Sequence, residues 1–153
     1  MLTPEKYNLK YDANHLDICH QPIIQSGGAY NLKPSAVSTD ANLKLDLIIC
    51  SLGIRYDNYC ASLARTFFIN PSIYQQKCYS ILADIESEVI KCLVPGAILG
   101  NVYDHAVALL AKRAPELESH FTKECGVGIG LEFRESILRI KHGNTETVKY
   151  MIF

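Results

Sequence analysis

The sequence predicts an α+β fold, and three stretches carry that prediction. Residues 46–70, DLIICSLGIRYDNYCASLARTFFIN, read as one long β-hairpin; residues 74–93 repeat apolar side chains at helical spacing; residues 126–140 return to strand character behind three glycines. In the first arm of the hairpin, 47–55, Ile48, Cys50, Leu52 and Ile54 alternate with Ile49, Ser51, Gly53 and Arg55, which is the pattern of a sheet with one covered face. The second arm, 59–69, ends in an apolar run. The turn falls at Asp57-Asn58, because both residues tolerate left-handed backbone angles and bond their own main chain. Ser51 and Ser62 lie in opposite arms, and the hairpin can bring them onto one face.

Taken in order, residues 1–20 are polar and mixed, with no assignable element, and His15 and His20 read as solvated. Residues 22–26, PIIQS, form a short strand closed by Gly27-Gly28. A long polar connection with Pro34 and the turn cluster Ser38-Thr39-Asp40 leads to the hairpin. Behind it, Asn70-Pro71-Ser72 starts a helix, with Asn70 as N-cap and Pro71 in the first turn. Tyr74, Cys78, Ile81, Leu82, Ile85, Val89 and Leu93 make that helix amphipathic, so that it covers a sheet. Pro95-Gly96 stops it. A second helix spans 101–113 with Val102, Ala106, Leu109 and Leu110 inward, and a short third one spans 115–121. The glycines at 126, 128 and 130 precede a strand, whereas a nucleotide fingerprint needs a strand before them and a helix after, so they serve close approach of another backbone or a ligand. Residues 147–153 form one more strand.

Composition narrows the function classes. With 48% hydrophobic and 20% charged residues in 153, the chain is one globular domain or a large part of one. Fifteen basic side chains against 16 acidic ones give no global field for nucleic acid or an anionic membrane. Six cysteines without a C-x-x-C motif read as small buried hydrophobes of a reducing compartment rather than as a disulfide framework. The N-terminal residues show no apolar signal core, and no run is long and apolar enough for a membrane span. A cytosolic or nuclear location follows as the expectation.

Three segments in order, PIIQSGGAYNLKPSAVS at 22–38, IRYDNYCASLARTF at 54–67 and GVGIGLEFRE at 126–135, carry a family resemblance. The chain resembles the pita-bread (creatinase/aminopeptidase-like) fold of methionine aminopeptidases, aminopeptidase P and prolidase. Its likeness is greatest to non-catalytic relatives, the peptidase-like domains of the large subunits of FACT-type histone chaperones. The resemblance implies an antiparallel curved sheet with helices on one face. It also implies that 1–153 is a single domain forming the central and C-terminal part of a pita-bread domain incomplete at both ends, with an open edge at 147–153.

In the peptidases of this fold, two aspartates on the hairpin, a histidine on the glycine-rich strand and two later glutamates hold a pair of divalent metals that activate water. The resemblance places the aspartate positions on Ser51 and Ser62 and the histidine position on Val127; a second histidine of that strand falls on Arg134, and a substrate-positioning histidine falls on Pro34. The glutamate positions fall beyond Phe153. Neutral serines and a valine are poor replacements for such ligands, so no metal, no other cofactor and no catalysis are expected. Arg65 and Arg134 admit a structural role, pairing with Glu132 or Glu135.

The resemblance implies a module that binds core histones or chromatin factors in the nucleus, on the chromosome. An HMG-box partner subunit would be engaged through other domains, with no membrane and no sequence-specific nucleic acid bound directly. The candidate binding residues are Ser51, Arg55, Ser62, Gly128, Gly130 and Arg134, on the former peptidase cleft. The alternatives are a metal-dependent aminopeptidase or prolidase, and another non-catalytic pita-bread protein that binds RNA or ribosomes.

Overall fold

The computed structural model describes residues 11–33, 36–38 and 41–149. They fall into two units, Met1–Ile69 with Gly130–Phe133, and Asn70–Ile129 with Arg134–Phe153.

The first unit is a three-stranded antiparallel sheet in the order β1 (Leu16–Ser26), β2 (Leu47–Tyr56), β3 (Tyr59–Phe68). The predicted hairpin is present, and Asp57 (φ 47°) and Asn58 (φ 68°) turn it with two successive left-handed residues. Such a turn matches the twist of the strands it joins. β1 is longer than the PIIQS segment. It starts at Leu16 and holds its register to β2 through irregularities between Ile18 and His20 and between His20 and Ile23. These bulges hide the two-residue period, which is why the stretch reads as unstructured. A short 3-10 turn, Ala13–His15, leads into β1. The outer edge of β1 is closed by Ser38, whose hydroxyl accepts from Ile24 N–H at 2.8 Å and donates to Pro22 C=O at 3.0 Å.

The two faces of this sheet differ. Across the strands, Leu16, Ile18, Ile24, Leu52, Ile54, Leu63 and Phe67 share one face, and they remain between 37% and 54% exposed. On the same face Ile48 is buried.

In the second unit, α1 (Ile73–Cys92) packs on α2 (Leu99–Arg113), which also packs against β5 (Arg139–Lys141), the partner of β4 (Glu124–Val127). The core is Ile85 and Val89 of α1, Leu99, Val102, Ala106 and Leu110 of α2, then Ala114, Ile140 and Val148. Tyr74 and Leu82, placed inward by the sequence pattern, are instead exposed. Pro115–His120 is a 3-10 turn. The single strand expected over 126–140 is two short antiparallel strands joined by bends, because Gly126 and Gly128 let Ile140 and Leu138 close over their backbone.

Residues 146–148 run along 96–99: Thr147 bridges Ile98, and Val148 N–H donates to Ala97 C=O at 2.9 Å. Val148 is buried, so the cover expected to be lost there is present. Residues 150–153, the rest of that predicted strand, lie outside the described residues. Among the described residues no helix is long and apolar enough to cross a membrane.

The N-cap of α1 is Ser72 and not Asn70, which takes a left-handed conformation (φ 54°) two residues earlier. Ser72 Oγ accepts from Gln75 N–H at 3.2 Å, and Gln75 Oε1 accepts from Ser72 N–H at 2.8 Å, a complete capping box. Ser72→Ala should cost about 1 kcal/mol of stability, read as a lowered urea midpoint at unchanged slope; an unchanged midpoint would show the box contributes nothing.

His142, beyond β5, lies 2.7 Å from Asp104 of α2, and that carboxylate raises the imidazole pKa from its ordinary 6.5. A raised pKa in the folded state contributes stability that is fully present below pH 6.5 and is lost as pH rises through the raised value. Both groups are well exposed, so the effect is small. Asp104→Asn should lower the urea midpoint only on the acid side; a loss equal at acid and alkaline pH would assign Asp104 another role.

Candidate functional site

The face of the three-stranded sheet opposite the apolar one carries the polar candidates, arranged in rows by strand register. Asp17, Arg55 and Cys60 form one row across β1, β2 and β3; His20, Gly53 and Ser62 form the next; Ile23, Ser51 and Ala64 the third. Ser51 and Ser62 are thus diagonal neighbours on one face, two rows being adjacent in a period-two pleat. Ser51 is half-buried, while Ser62 is exposed and its hydroxyl donates to Leu52 C=O at 3.2 Å.

The row of Ser62 is tightly filled. Gly53 is buried, and a Cβ there would lie 2.4 Å from Cys19 Sγ and 2.5 Å from His20 Cδ2. The bulge at Cys19 and His20 therefore sets both side chains over the bare Cα of Gly53. His20 is not solvated as expected: its ring packs on Phe133 at 4.8 Å, its Nδ1 lies 2.8 Å from Gln21 C=O, and its buried Nε2 has no hydrogen-bond partner among the described residues. Burial raises the Cys19 thiol pKa, and the neighbouring Cys60 raises it further. Cys60 N–H donates to Gly130 C=O at 2.7 Å.

Arg55 stands beside the Cys60 thiol, which raises its pKa, with Asp17 adding to the effect. Together with Asn14, His15, Asp17, Asp57 and Asn58 it lines a shallow depression of about 310 Å³ at the hairpin tip. His15 there is exposed, with Nδ1 2.6 Å from Asp57 Oδ1. Asp17 was not among the sequence candidates, since its role depends on the register of β1, which the bulges conceal.

The other candidates are engaged within the chain. Gly130 belongs to the first unit, and the place of its missing side chain lies 3.2 Å from Tyr59 Oη; Gly128 belongs to the second, where a Cβ would lie 2.7 Å from Leu138 Cβ. Arg134 donates to Glu124 Oε1 at 2.5 Å, and Arg139 binds the other oxygen of the same carboxylate. The partner of Arg134 is thus Glu124 rather than Glu132 or Glu135, and Arg65 reaches back to Ala64 C=O at 2.7 Å. Glu124 is the residue that sequence reading passed over. Val127, in β4, pairs with Arg139 and is half-buried. Pro34 lies outside the described residues. Among the described residues no group of three His, Cys, Asp or Glu side chains is arranged to hold a metal ion.

Comparison with known proteins places this arrangement. The model of metallopeptidase family M24 matches residues 5–153. FACT complex subunit SPT16 of Dictyostelium discoideum is 43% identical over 148 residues, which are 96% of this chain and 14% of that protein. The chain therefore spans about a seventh of the length of such relatives. Among solved structures, the N-terminal domain of FACT complex subunit SPT16 from Cicer arietinum superposes with a TM-score of 0.91 at 46% identity, covering 95% of this chain and 35% of that one. The X-Pro aminopeptidase from Thermotoga maritima gives a TM-score of 0.75 at 25% identity, covering 86% of this chain and 37% of that one. The chain belongs to metallopeptidase family M24 and has the pita-bread fold that this family shares with the N-terminal domain of SPT16.

Proposed function

We propose that this chain is part of a non-catalytic, peptidase-like domain of a FACT-type histone chaperone subunit. In this reading it binds core histones or chromatin factors in the nucleus, on chromosomes, during transcription, replication and nucleosome reorganisation. An HMG-box partner subunit is engaged through other domains, and no metal is required. One observation carries the reading: identity to SPT16 is 43% across 96% of the chain, against 25% to the X-Pro aminopeptidase.

The chemistry of the hairpin face supports it. If Ser51 and Ser62 stand where the peptidases of the fold carry aspartates, the site has exchanged two anionic ligands for two neutral hydroxyls. A pair of divalent ions needs carboxylate charge to be held and to lower the pKa of a bound water. Hydroxyls on an extended strand instead offer hydrogen bonds to a peptide. Ser51, Ser62 and Arg55 are the proposed contacts, since Arg134 is neutralised by Glu124 and the approach to Gly128 is filled by Leu138.

Near-neutral net charge argues for modest, side-chain-dependent affinity rather than a general attraction to basic histones. Calorimetric titration against histone tails and against folded histone complexes tests the proposal. Micromolar binding weakened by Ser51→Asp together with Ser62→Asp is expected; no heat with either ligand at high micromolar concentration would overturn it. Release of an N-terminal residue from peptides in manganese, cobalt or zinc, abolished by chelator, would overturn the non-catalytic part.

A further inference from the structure

We draw no further inference here: the strongest candidate, the apolar face of the three-stranded sheet on which Leu16, Ile18, Leu52, Ile54, Leu63 and Phe67 stay between 37% and 54% exposed, carries none because nothing in the structure shows what covers it.

Discussion

Gly53→Val is expected to destabilise the sheet by about 3 kcal/mol, a large share of the stability of a small domain. Valine would ordinarily be welcome in the middle of a strand, where its branched side chain suits the pleat. At this position steric overlap wins. Its Cβ alone would sit 2.4 Å from Cys19 Sγ and 2.6 Å from His20 Nε2, and its methyl groups would add to the overlap. Relief requires the bulge of β1 to move, and Cys19 and His20 are held there by contacts to Ala61 C=O and to Phe133. Urea unfolding of the variant beside Ser62→Ala, whose exposed hydroxyl should be worth less than about 0.5 kcal/mol, separates crowding from a general effect of altering the face. A loss below about 1 kcal/mol in Gly53→Val would mean that the bulge repacks freely. Ser62 shares the row of Gly53 and Ser51 lies in the next one, so under the proposed function any affinity for a histone ligand should fall with the sheet.

The second large effect belongs to Glu124→Ala. One carboxylate accepts from both Arg134 and Arg139, one on each oxygen, while its own side chain is only 24% exposed. Removing it leaves two guanidinium groups, 32% and 41% exposed, facing each other without a counter-charge. A fully buried pair broken in this way costs about 3–5 kcal/mol, and the remaining solvent access reduces that to about 2 kcal/mol. Glu124→Gln keeps an acceptor but not the charge and should fall between wild type and Glu124→Ala. Urea midpoints of the three proteins would decide. Equal stability of Glu124→Ala and wild type would show that both arginines find water or other acceptors without loss, and would return Arg134 to the set of free contact residues.

The hairpin and the helices were legible because their signals are local. Asp57-Asn58 sits between two alternating runs, and Ile85, Val89, Val102, Ala106 and Leu110 keep the helical period wherever they meet the core. The cap of α1 was misplaced at Asn70 for an equally local reason: Asn70 and Ser72 are both good caps, and only Gln75, three residues after Ser72, completes a capping box. What stayed hidden depends on distant partners. Asp17 reaches Arg55 only through the register of β1, and Glu124 gains its role from residues ten and fifteen positions later. The glycines looked available to a ligand because sequence shows the missing side chains but not that Leu138, Ile140 and Tyr59 fill their places.

The return of Gly130–Phe133 to the first unit has a consequence for the order of folding. During synthesis the β2–β3 hairpin can zip as soon as it emerges, since all its pairings are between near neighbours. The Cys60 amide must wait for Gly130, roughly seventy residues later, and at ribosomal speeds of about 5–20 residues per second that is an interval of several seconds. Until then the amide bonds to water, and the His20 ring lacks the Phe133 packing that later encloses it. The pairings of the hairpin are thus local enough to form early, while the bulge of β1 reaches its final packing only once Phe133 is present.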